Sequence, residues 1–139
     1  MTEKASRSRQ TARCVRLRAN RGVVHVIYTR THALTQTLAI EGAPREANQL
    51  RRVQASLHGR YVCASSRVDN FAAIYGVGAL KQIGGFVTPQ APMGFGFDGH
   101  GRHGLCCHDA AVTLEFELAS GHITGQFKTA AGCEFIISY

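Results

Sequence analysis

Apolar and polar residues alternate most cleanly in the stretch AVTLEFELASG, where Val112, Leu114, Phe116 and Leu118 take one side and Thr113, Glu115 and Glu117 the other. A two-residue period of this kind predicts a half-buried strand. Ser120 and Gly121 mark a turn after it, HITGQFKT carries Ile123 and Phe127 on a second strand, and CEFIISY reads as a third. The start of the chain has the same character. In CVRLRAN, Val15, Leu17 and Ala19 oppose Arg16 and Arg18; VVHVIYTR is rich in β-branched residues; and LTQTLAIEG alternates Leu34, Leu38 and Ile40 with Thr35, Thr37 and Ala39. With a turn near residues 30–33, residues 13–41 form a predicted antiparallel meander.

The middle of the chain changes period. In APREANQLRRVQASLHG, Ala47, Leu50, Val53 or Gln54, and Leu57 recur at helical spacing. Pro44 suits a first helical position and Gly59 a stop, so an amphipathic helix is expected there. The competing reading is a hairpin that turns at His58 and Gly59, from VQASL into RYVCASS, and RYVCASS is a strand under both. In DNFAAIYGVGALKQIGGF, Phe71, Ile74, Tyr75, Val77 and Leu80 fall on one helix face, with Asp69 or Asn70 as cap and Gly84 as stop. Gly76 and Gly78 weigh against that helix, each costing about 1 kcal/mol relative to Ala. Residues 88–104, with two prolines and five glycines, read as a connection without regular structure, and no internal repeat stands out.

The fold class expected from these elements is α+β: mainly antiparallel β meanders forming one sheet or a partly closed barrel, covered by one or two short helices. A chain of 139 residues fits a single domain and buries a core without needing a disulfide or metal. The expected division is a flexible basic arm over residues 1–12 and one globular domain over 13–139.

Charge refines this picture. Residues 1–67 carry thirteen Lys and Arg against three acids, giving +10, whereas residues 68–139 carry three against six, giving −3. Arg7, Arg9, Arg13, Arg16, Arg18 and Arg21 concentrate in the first stretch, a pattern that attracts polyanions such as nucleic acid. Opposite charge on the two halves also makes the chain complementary to a second copy of itself, so homo-oligomerisation is expected. No run reaches the 18 to 20 apolar residues of a membrane-spanning helix, and no apolar signal segment opens the chain. An odd count of five cysteines then points to free thiols in the cytoplasm.

The stretch FGFDGHGRHGLCCHD holds the candidate chemistry. His100, His103, Cys106, Cys107 and His108 offer the imidazole and thiolate donors that zinc prefers, spaced H-x2-H-x2-C-C-H. All five lie within nine residues, whereas zinc sites usually draw donors from two separated pairs. A cysteine beside His103 or His108 would alternatively form a thiolate and imidazolium pair for nucleophilic catalysis. The plainest reading is a polar loop leading into a buried strand. It ranks first, a metal site second and an active site third. The function expected is therefore a non-enzymatic binding or self-assembly module with a basic N-terminal half and an exposed Gly/His/Cys loop. Nucleic-acid binding through the arginines and zinc binding or metal/thiol catalysis through the loop are the alternatives.

Overall fold

The computed structural model describes residues 13–18, 23–28, 30–41, 50–67, 70–79, 81–108 and 111–129. Within them the chain is all β. Eleven strands run in order: β1 (Arg13–Arg18), β2 (Val23–Tyr28), β3 (Ala33–Ala39), β4 (Leu50–Ala55), β5 (Tyr61–Ser66), β6 (Phe71–Gly76), β7 (Lys81–Val87), β8 (Pro92–Phe97), β9 (His103–His108), β10 (Val112–Glu117) and β11 (Ile123–Lys128). They form three separate antiparallel sheets, each a simple meander: β1-β2-β3, then β4-β5-β6-β7, then β8-β9-β10-β11. Neither the single sheet nor the barrel expected from the sequence is present, and no helix occurs among the described residues.

The sheets stack face to face. β1 lies against β4, and β4 and β5 lie against β8, so the first strands neighbour one another. Between sheets 1 and 2 lies one core, in which Val24 packs with Val62, Ala64, Phe71, Ala73 and Tyr75. Between sheets 2 and 3 lies the other, in which Cys63, Ala72, Ile74 and Phe86 meet Phe95, Phe97, Cys106, Leu114, Phe116 and Leu118. Sheet 2 is therefore covered on both faces.

That double burial explains the mistaken helix over residues 69–84. In β6, Phe71, Ala73 and Tyr75 face sheet 1 while Ala72 and Ile74 face sheet 3, so all five are buried and no polar face remains. A continuous apolar run of this length reads equally well as a buried strand or a buried helix. The 44–57 helix is replaced by β4, which turns at residues 56–60 and pairs with β5 through Val53 opposite Ala64 and Ala55 opposite Val62. The competing hairpin reading was the correct one for this segment. Residues 42–49, the start of the expected helix, lie outside the described residues, as does the expected strand CEFIISY.

The expected irregular connection over residues 88–104 is also corrected. PMGFGF is β8, buried throughout, with Phe95 and Phe97 turned into the core against sheet 2. Glycine alternates with phenylalanine there, so the composition of a loop conceals a strand.

The absence of a repeat is the last correction. Turns recur at matching places in the meanders. Gly59 and Gly101 both take positive φ in the first hairpin of sheets 2 and 3, and Val77 N–H and Leu118 N–H donate to Arg60 O and Arg102 O at 2.9 Å each. His32, Asn70 and Ala111, each the residue before the third strand of its sheet, all have φ near +50° to +60°. This left-handed backbone suits Asn and strains Ala. Ala111→Asn, which copies the residue at the matching turn, is expected to stabilise the fold by about 0.5–1 kcal/mol, read as a higher denaturation midpoint at unchanged slope.

Candidate functional site

Strand geometry decides the fate of the loop residues. His103 to His108 is β9, and successive side chains on a strand point to opposite faces. Cys106 faces the core beneath sheet 2, whereas Cys107 takes the other face and its Sγ lies 3.7 Å from Gly94 O. His103 and His108 stand at opposite ends of the strand, about 16 Å apart at 3.3 Å per residue. His100 is in the turn before it, exposed. The five donors expected to bind zinc are thus strung along an extended segment, and among the described residues no three His, Cys, Asp or Glu side chains gather as a metal would require. Burial pushes the Cys63 and Cys106 thiols well above their ordinary range, with the neighbouring cysteines adding to the effect at Cys106. Both stay protonated at neutral pH, unlike a nucleophilic or metal-binding thiolate.

The turn that opens this segment is closed by hydrogen bonds. Asp98 Oδ1 accepts Arg102 N–H at 2.9 Å, and Oδ2 lies 3.4 Å from His103 Nδ1. Desolvation pushes the Asp98 carboxyl up, but donors from Arg102, His103 and Gly101 outweigh it, and the group is held below its usual range. The acidic residue of the loop is a turn cap, and its oxygens are engaged.

Of the arginines, Arg7, Arg9 and Arg21 lie outside the described residues. Arg13, Arg16 and Arg18 occupy β1, where position 16 pairs with His25 and position 18 with Val23. Three of the six candidate arginines thus belong to the first strand of sheet 1, where the alternation of CVRLRAN predicts a strand.

What the sequence reading missed is a set of matched positions on sheets 2 and 3. Thr88 N–H donates to Asn70 O at 2.7 Å, and Thr129 N–H donates to Ala111 O at 2.8 Å, so β7 and β11 are in corresponding register. Phe86 opposite Ala72 matches Phe127 opposite Thr113, and Gly84 matches Gly125. In the first hairpins, His58-Gly59-Arg60 matches His100-Gly101-Arg102.

On sheet 2 each member of these pairs holds sheet 3. The Phe86 ring packs 4.6 Å from Phe116, between centroids. Gly84 has so little room that a Cβ would come within 2.7 Å of Ser120 O. His58 Nε2 lies 3.1 Å from Gly99 O, the ring lying over Gly101, where a Cβ would come within 3.0 Å of its Cδ2.

On sheet 3 the counterparts face away from the stack and hold nothing described. Phe127 is 48% exposed where Phe86 is 6% exposed, although the two occupy the same place in their sheets. Gly125 has only Glu115 of its own sheet within reach, at 4.0 Å. His100 is exposed and makes no hydrogen bond among the described residues. Cys107 and Thr113 on the same side are buried, Leu105 and Glu115 half-buried, so exposure is concentrated toward β11. The signal in the sequence was the repeated H-G-R, one meander apart, which marks successive structural units.

No protein-family model matches the chain, and no curated protein is significantly similar to it. Solved structures are similar in fold. The RRP9 WD40 repeats superpose with a TM-score of 0.72 at 10% identity, over 84% of this chain and 35% of that one. A candidate 6-phosphogluconolactonase from Bacteroides fragilis gives 0.70 at 24% identity, over 86% and 37%. Hydrazine synthase from Kuenenia stuttgartiensis gives 0.66 at 10% identity, over 79% and 30%. The chain spans about a third of the length of each of these proteins. At such identities the likeness concerns the fold alone: meander sheets repeated side by side around their first strands, the blades of a β-propeller.

Proposed function

We propose that this chain is a non-enzymatic binding and self-assembly module, in which the far face of sheet 3 is the docking surface for a further blade. The observation that carries the reading is Phe127, exposed at the position where its counterpart Phe86 anchors the next sheet. A large aromatic side chain contributes strongly to an interface once buried, and Phe127 lies on β11, the outermost described strand of sheet 3. His100 and Gly125 extend the same logic to the rim and the edge. Among the described residues sheet 3 is the last of the stack, so its far face is where a further blade would dock. Cys63, Cys106 and Cys107 are buried thiols outside any disulfide among the described residues, which suits a reducing compartment.

Sedimentation velocity at low ionic strength tests the reading. The chain is expected to associate as its concentration rises, and Phe127→Asp is expected to abolish association while leaving the circular dichroism spectrum and denaturation midpoint nearly unchanged. Association that persists in Phe127→Asp, or a strict monomer at every concentration, overturns it.

A further inference from the structure

We draw no further inference here: the strongest candidate, the exposed face of sheet 3 around Phe127 and Gly125, belongs to the docking surface already described, and nothing in the structure shows what covers it.

Discussion

Replacing Phe116 by alanine is expected to cost about 3–5 kcal/mol, which is a large part of the 5–15 kcal/mol that typically holds a domain together. The ring is fully buried where sheets 2 and 3 meet, 4.6 Å from Phe86 and 6.3 Å from Phe95 between centroids. It also lies over Gly104, its cross-strand partner: a Cβ added there would stand 2.4 Å from Phe116 Cζ. Gly104→Ala is therefore expected to destabilise by about 1–3 kcal/mol, because the ring is packed on both sides and cannot swing away. The two substitutions should not add. In Phe116→Ala the space that a residue-104 methyl group needs is free, so the double variant should be no less stable than Phe116→Ala alone. Urea denaturation of the four proteins measures this coupling, and strict additivity would mean that ring and glycine do not touch.

The second large effect separates two glycines that look alike in sequence. Gly84→Ala is expected to lose roughly 1–3 kcal/mol, since its new methyl group would meet the backbone carbonyl of Ser120, which no side-chain rotation can relieve. Gly125→Ala, at the matching place on the last sheet, should fall within about 0.5 kcal/mol of the parent, because its nearest contact is Glu115 at 4.0 Å. Equal losses at both positions in the isolated chain would contradict the distinction between the crowded Gly84 and the uncrowded Gly125.

The same distinction explains which parts of the fold were legible. AVTLEFELASG alternates cleanly because one side of sheet 3 packs on sheet 2 while the other carries Thr113, Glu115 and Glu117. FAAIYG does not alternate because sheet 2 is covered twice, and the loss of period resembled a helix. In PMGFGF the glycines that looked like loop punctuation alternate with the core residues Phe95 and Phe97. Clean alternation thus marked the end of the stack and continuous apolarity its middle, a relation visible only once the stack is known.

The candidate site was legible in its atoms and not in its arrangement. Cys106, Cys107 and His108 attracted attention as donors, but a strand sends neighbours to opposite faces, so closeness in sequence did not become closeness in space. His100 belonged to the site for another reason. It repeats His58, and that repeat was present in the two H-G-R triplets. Phe127 was read only as an apolar strand residue, which is expected to be buried, and only comparison with Phe86 shows how much more exposed it is than its counterpart.

Oxidative footprinting resolved to single side chains tests the central claim most directly, on dilute protein at high salt where the chain is monomeric. Phe127 is expected to oxidise readily and Phe86, its structural counterpart, to be protected. Equal protection of both rings, or oxidation of Phe86 ahead of Phe127, would contradict a stack in which Phe127 stands exposed on the last described sheet.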